Sequence, residues 1–165
     1  MSSLRVTAGE LRGRRVPVPP REVRPTSERA RQAYFNIVGE RIEGARFLDL
    51  FAGSGIFSFE AVSRGAASST AVEQNKRYAA AIETLAAEWK APVTVLAQDV
   101  FKALPKLGRF DLVYADPPYD FGRYEELVEA AGAAGGLVAV EHRRGVHLHG
   151  DTREYGEVAI TFFSR

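Results

Sequence analysis

The chain has 165 residues, 45% of them hydrophobic and 26% charged, the balance of a single soluble globular domain. It has no cysteine, which excludes a disulfide framework, a thiolate nucleophile and a thiolate metal site. The formal net charge of +1 conceals a polarity, because residues 1–31 carry eight arginines against three glutamates, a basic arm suited to a polyanionic partner such as nucleic acid.

No apolar run is long enough to span a membrane and no signal peptide is evident. A cytoplasmic protein is expected, and a monomer.

In chain order, Leu4–Thr7 and Leu11–Val18 read as two short strands joined by a turn at Ala8-Gly9-Glu10, a hairpin that strand alternation would dress with Arg5, Arg12 and Arg14 on one face. Arg15 follows in the same strand. Arg24-Pro25-Thr26 is a loop. A helix then begins at Thr26 or Ser27 as N-cap, with Ala30, Ala33, Tyr34, Ile37 and Val38 on its buried side and Arg29 and Arg31 on or near the other. Arg5, Arg12, Arg14, Arg15, Arg24, Arg29 and Arg31 are the candidate phosphate-binding residues, since a guanidinium fork matches phosphate oxygens. Residues 1–26 are expected to form a basic extension and residues 27–165 the main domain.

From Arg46 onward strands and helices alternate. Strands are predicted at 47–51, 69–73, 93–97, 110–115 and 137–141, with helices between them, and a final pair of strands turns tightly at Gly156. Apolar strands alternating with helices form an α/β fold with a parallel sheet covered on both faces. Ligands of such sheets bind at the carboxyl ends of the strands. Those ends carry Asp49, Glu73, Asp99 and Asp116, four carboxylates that packing does not readily explain.

Asp49 opens a strand–turn–helix passage through Ala52, Gly53, Ser54 and Gly55, where glycines let the backbone approach a ligand closely. Position 58 is Ser, so the dinucleotide pattern G-x-G-x-x-G is incomplete. Glu73, followed by Gln74, can accept both hydroxyls of a ribose, a device shared by NAD and S-adenosylmethionine proteins. Asp99, followed by Val100, can accept from an adenine N6 amine or cap the next helix, and the two roles are compatible. Asp116-Pro117-Pro118-Tyr119 ends its strand rigidly, because each proline fixes φ and removes an N–H. The Asp116 carboxylate and the Pro117 carbonyl are acceptors and Tyr119 is a flat face, a set suited to a planar ring with an exocyclic amine.

His142, His147 and His149 form no metal-binding pattern and read as surface or substrate-side residues; no metal is expected. No G-x-S-x-G elbow is present.

The glycine turn, Ala71-Val72-Glu73 and Asp116 to Tyr119 together resemble class I S-adenosylmethionine-dependent methyltransferases acting on exocyclic amines. Arg5 to Arg15 (RVTAGELRGRR), Arg24 to Asn36 (RPTSERARQAYFN) and Tyr155 to Phe163 (YGEVAITFF) extend the resemblance to the RsmD family of small-subunit (16S) rRNA guanine-N2 methyltransferases. The resemblance spans nearly the whole chain. It departs in being short between Tyr119 and Gly136 and before Thr152. It implies a Rossmann-like, mostly parallel seven-stranded sheet with an antiparallel last strand, helices on both faces and an N-terminal hairpin extension. It also implies S-adenosylmethionine as methyl donor and, as acceptor, a guanine of 16S rRNA within a small-subunit context. The rivals are an amino-methyltransferase of another RNA or of DNA adenine, an NAD oxidoreductase, and a non-catalytic RNA-binding module on the same fold.

Overall fold

The computed structural model describes residues 2–19 and 27–164; Arg24 and Thr26 lie outside them. The chain runs β1 (Ser3–Arg5), β2 (Arg15–Pro17), α1 (Glu28–Val38), β3 (Arg46–Leu50), α2 (Ile56–Ser63), β4 (Ser68–Val72) and α3 (Lys76–Trp89). It continues β5 (Val93–Leu96), α4 (Val100–Ala103), β6 (Phe110–Ala115), α5 (Tyr124–Ala134), β7 (Gly135–Arg143), β8 (Asp151–Tyr155) and β9 (Val158–Ser164).

Seven strands form one sheet in the order β5-β4-β3-β6-β7-β9-β8. The pairings from β5 to β7 are parallel, and β9 runs antiparallel to both β7 and β8. The last strand is therefore reversed, as the resemblance implies. Strand alternation divides the core. Phe47, Ala71, Leu112 and Tyr114 pack with buried residues of α1, α2 and α3, such as Tyr34, Phe57 and Ile82. Leu48, Leu50, Val72, Val113 and Ala115 pack with Val100 and Ala103 of α4 and Leu127 and Ala131 of α5. A sheet buried on both faces explains why its strands read as near-continuous apolar runs.

β7 starts two residues before the expected strand and ends two after it. It follows α5 without a connecting loop, and a Cβ at Gly135 would lie 2.7 Å from the Phe110 carbonyl oxygen. The absence of a side chain at Gly135 is what permits this direct junction.

The hairpin differs from expectation in its turn. β1 and β2 pair antiparallel, with Ser3 opposite Pro17 and Arg5 opposite Arg15. The strands do not run to a tight turn at residues 8–10. A longer loop intervenes, closed by Val6 N–H to the Arg14 carbonyl (2.9 Å) and Gly13 N–H to the Val6 carbonyl (2.8 Å). Its backbone is engaged by the end of α2 instead: Glu10 N–H donates to the Ser63 carbonyl (2.9 Å) and Leu11 N–H to Ser63 Oγ (2.8 Å). A Cβ on Gly9 would stand 1.8 Å from the Ser63 carbonyl oxygen, so this docking requires glycine.

Ser27 caps α1, its Oγ accepting from Ala30 N–H at 3.2 Å. The buried stripe of α1 is Ala30, Arg31, Tyr34, Phe35 and Val38. Arg31 is thus on the opposite side from the one expected. Among the described residues, no helix is long and apolar enough to cross a membrane.

Candidate active site

The carboxyl ends of β3, β4, β5 and β6 open onto a cleft of about 510 Å³, a volume typical of small-molecule sites. Gly53 lines it from the first end, Glu73 and Gln74 from the second, Asp99 and Val100 from the third, and Asp116, Pro117 and Tyr119 from the fourth.

The first wall is the glycine turn. Phe51 (φ 60°), Gly53 (φ 59°) and Gly55 (φ 85°) adopt left-handed backbone between β3 and α2. Gly55 is also closely packed, since a Cβ there would lie 3.0 Å from Ile82 Cγ1. Ser54 Oγ accepts from Ile56 N–H at 3.3 Å. Ser54 and Gly53 line a neighbouring cavity of about 730 Å³ between the end of the hairpin and α3. Tyr78 lines both cavities. Ala52 and Gly55 shape the turn from behind without lining either cavity.

Asp49 is not a wall of the cleft. It is 2% exposed, and its Oδ2 accepts from Ser58 N–H (3.1 Å) and Ser58 Oγ (2.8 Å). Ser69 Oγ in turn donates to Ser58 Oγ at 2.8 Å. Burial pushes the Asp49 carboxyl up to about 7, against the lowering effect of both Ser58 bonds. Asp49, expected among the cofactor-binding residues, does not line the cleft: one strand position before the sheet ends, its Oδ2 is turned onto Ser58 and ties α2 to β3. The same Ser58 that breaks the dinucleotide pattern is its partner.

Glu73 is the junction of the cleft. One carboxylate oxygen accepts from Gly53 N–H (2.8 Å) and the other from Asn75 N–H (2.8 Å). It therefore ties the glycine turn to the start of α3, which Asn75 Oδ1 caps through Arg77 N–H (3.0 Å) and Tyr78 N–H (3.2 Å). Burial raises its pKa, opposed by those two bonds. Each carboxylate oxygen has a second lone pair for a ligand hydroxyl. Asp99 caps α4, its Oδ2 accepting from Phe101 N–H (3.0 Å) and Lys102 N–H (3.3 Å). The capping role is thus filled, and a further bond to a ligand amine remains compatible with it.

The fourth wall is the proline turn. Asp116 N–H donates to the Leu50 carbonyl at 3.3 Å, and the Pro118 carbonyl accepts from Phe121 N–H at 3.1 Å. Two residues upstream, the buried Tyr114 hydroxyl donates to Glu141 Oε1, anchoring the end of β6 to β7. Tyr119 is 39% exposed, the one large hydrophobic side chain so exposed among the described residues. The guanidinium of Arg143, at the end of β7, lies over its ring with Cζ 5.9 Å from the centroid. Phe51, Tyr78 and Gln98 line the cleft and sequence reasoning missed them, as it missed Arg143 over the Tyr119 ring, because the strand that Arg143 ends was expected to stop at residue 141.

The arginines separate into groups. Arg12, Arg14, Arg15 and Arg29 are exposed. Arg14 lies over the Trp89 ring at 5.5 Å, and Arg15 donates to Ser3 Oγ at 3.2 Å. Arg5 is exposed and pairs with Glu28 at 3.8 Å. Arg31 is fully buried; its Nε donates to Glu60 Oε1 (3.2 Å) and its Nη2 to the Arg5 carbonyl (2.6 Å). The expectation that Arg31 holds a phosphate is corrected, because its charge is neutralised inside the fold. Of the two expectations for His142, surface or substrate-side, the surface one does not hold: it is 2% exposed, with Nε2 2.7 Å from Thr161 Oγ1.

Residues 4–163 match the family described as Conserved hypothetical protein 95. The chain belongs to that family. A relative with a functional name is the Ribosomal RNA small subunit methyltransferase D of Escherichia coli (strain K12), 35% identical over 128 residues. The match covers 76% of this chain and 65% of that protein. A solved structure of a hypothetical protein from Thermus thermophilus is 29% identical with a TM-score of 0.89, covering 98% of this chain and 99% of that one. The fold also recurs in a T. thermophilus 16S rRNA N2 G1207 methyltransferase solved with AdoMet and guanosine, at TM-score 0.79 and 21% identity, over 99% of this chain and 50% of that one. At that identity the likeness is one of fold. The glycine turn, Glu73 and the proline turn of this family member occupy the carboxyl end of its parallel sheet, where ligands of such folds bind.

Proposed function

We propose that the protein is an S-adenosylmethionine-dependent methyltransferase acting on the exocyclic N2 amine of a guanine in small-subunit (16S) rRNA. The observation that carries the reading is the convergence in one cleft of Glu73, Asp99 and the Asp116–Tyr119 turn, in a chain 35% identical to a small-subunit rRNA methyltransferase.

The residues present suit the methyl donor. The Glu73 carboxylate is 9% exposed and lines the cleft beside Gly53, where it can accept from ribose hydroxyls. Asp99 and Val100 close the far end, where an adenine edge can be met by the Asp99 carboxylate and the Val100 backbone. When bound, S-adenosylmethionine supplies an electrophilic sulfonium methyl group.

The acceptor amine is a weak nucleophile, because its lone pair is delocalised into the guanine ring. Asp116 and the Pro117 carbonyl accept its two N–H bonds and favour a more tetrahedral nitrogen. Tyr119 stacks on the base and orients it. These are contributions of orientation and electrostatics. After transfer the nitrogen is cationic, and Asp116 takes the proton it sheds. A paired guanine must be unstacked to reach the turn. The exposed arginines of the hairpin extension and of α1 (Arg5, Arg12, Arg14, Arg15 and Arg29), and Arg24 between them in sequence, hold phosphates, which makes RNA binding salt-dependent. Acting on rRNA in a small-subunit context, the enzyme works in the cytoplasm as a monomer.

The test is transfer of labelled methyl to total RNA and to isolated ribosomal subunits, followed by nucleoside identification. N2-methylguanosine is expected. N6-methyladenosine, or methylation of DNA alone, would overturn the reading. Asp116→Ala should abolish transfer while donor binding persists, and unchanged transfer would remove Asp116 from its assigned role.

A further inference from the structure

Arg143 differs from the other arginines at its end of the sheet. Arg144 is paired with Glu154 (3.2 Å), Arg153 with Asp151 (3.2 Å), and Arg123 with Glu126. Arg143 has no carboxylate partner among the described residues. It is exposed, and its guanidinium lies over the Tyr119 ring with Cζ 5.9 Å from the centroid. A cation over an aromatic face is held by the ring quadrupole and spends none of its N–H donors. All five donors of a guanidinium lie in its plane and stay available to fork onto an anion. β7, which Arg143 ends, is the parallel neighbour of β6, the strand that presents Asp116. A cation without an acid partner among the described residues is therefore fixed beside the exposed Tyr119 ring of the cleft.

We propose that Arg143 is a second, separate RNA-binding element: it backs the Tyr119 ring and grips a phosphate of the target nucleotide's own backbone. The inference rests on the reading of Tyr119 as the surface on which the base stacks. A nucleotide drawn out of its helix carries its phosphates with it, so a cation at the stacking ring meets a phosphate at the mouth of the cleft. The hairpin arginines stand on a different element, docked against the end of α2. The RNA would be held from two sides, by general phosphate contacts at the hairpin and by one registering contact at Arg143.

The experiment measures the salt dependence of binding to a 16S rRNA fragment by fluorescence anisotropy without donor, for the wild type, Arg143→Ala and Arg143→Lys. Single-turnover methyl transfer and donor calorimetry on the same proteins complete it. Arg143→Ala should weaken RNA binding about five- to tenfold and flatten the salt slope by about one counterion. Donor affinity should stay within about twofold. Arg143→Lys should keep the slope but transfer more slowly, because an ammonium does not align the ring as a planar guanidinium does. An unchanged slope in Arg143→Ala overturns the proposal, as does a loss of donor affinity equal to the loss for RNA. An Arg143-dependent slope in a wild type that transfers no methyl upholds the phosphate contact and removes the methyltransferase reading instead.

Discussion

Arg31 and Glu60 form an ion pair sealed inside the protein, with Nε 3.2 Å from Oε1 and neither side chain exposed to solvent. Glu60 is the hub of the N-terminal half. It accepts from Thr7 N–H (3.1 Å) and Thr7 Oγ1 (3.0 Å) in the hairpin and from Arg64 Nε (2.9 Å) beyond α2. Arg31 completes the joint by donating to the Arg5 carbonyl. Removing Arg31 leaves the buried Glu60 carboxylate with Arg64 and Thr7 but strips its buried cation, at a cost toward the lower end of about 3–5 kcal/mol. Arg31→Ala should lose stability on that scale in denaturant titration. The double variant Arg31→Met, Glu60→Leu should lose less than the sum of the single variants, and strict additivity would show that the pair is not coupled.

Asp49 predicts how stability varies with pH. Its folded carboxyl is pushed up to about 7 from an ordinary value of 3.8. A raised acid contributes stability that is fully present below the unfolded pKa and lost as pH rises through the folded one. The wild type should therefore lose up to about 4 kcal/mol between pH 4 and 8 from this residue. Asp49→Asn keeps an acceptor for Ser58 and should show a shallower decline of Tm over that range. The charge of Glu73 helps to raise the Asp49 carboxyl, so the comparison reads the Asp49–Glu73 pair together. Parallel Tm–pH curves would refute the assignment.

Glu73 holds two backbone N–H groups, one from the glycine turn and one from the start of α3. Glu73→Gln keeps one acceptor and replaces the other with a donor that faces a backbone N–H. Donor affinity should fall about tenfold or more, from the loss of charge-assisted bonds of about 1.5–3 kcal/mol. Titration calorimetry with S-adenosylhomocysteine measures it, and an unchanged Kd would place the ribose elsewhere.

Tyr119 separates stacking from hydrogen bonding. Tyr119→Phe keeps the face and should retain most activity. Tyr119→Ala should lose about ten- to a hundredfold in kcat/KM for RNA, matching about 1–3 kcal/mol per stacked base. Equal losses in the two variants would shift the role from the ring to the hydroxyl.

Local chemistry was legible where neighbours along the chain decide it. The Ser27 cap, the Phe110–Ala115 strand, the glycine turn and the Gly156 turn stand where the residues announce them, because propensity, capping and φ preference act over a few residues. The cleft itself was legible because topology places every parallel strand's carboxyl end on one edge. Glu73, Asp99 and Asp116 had only to be strand-end residues to meet there.

Partners distant in sequence were not legible. By itself the sequence determined the alternation of strands and helices, the basic charge of the N-terminal arm and the rigid Asp116–Tyr119 turn. Only the tertiary structure decided which polar groups are spent holding the fold and which face the cleft. Arg31 and Arg29 are two residues apart and chemically identical, yet Glu60 draws one into the core while the other stays in water. Asp49 and Asp116 both lie near the carboxyl ends of neighbouring strands, yet the strand position of Asp49 turns its carboxylate onto Ser58. Charge and periodicity are properties of the chain, whereas the partner that satisfies a buried charge arrives only when separate elements pack together.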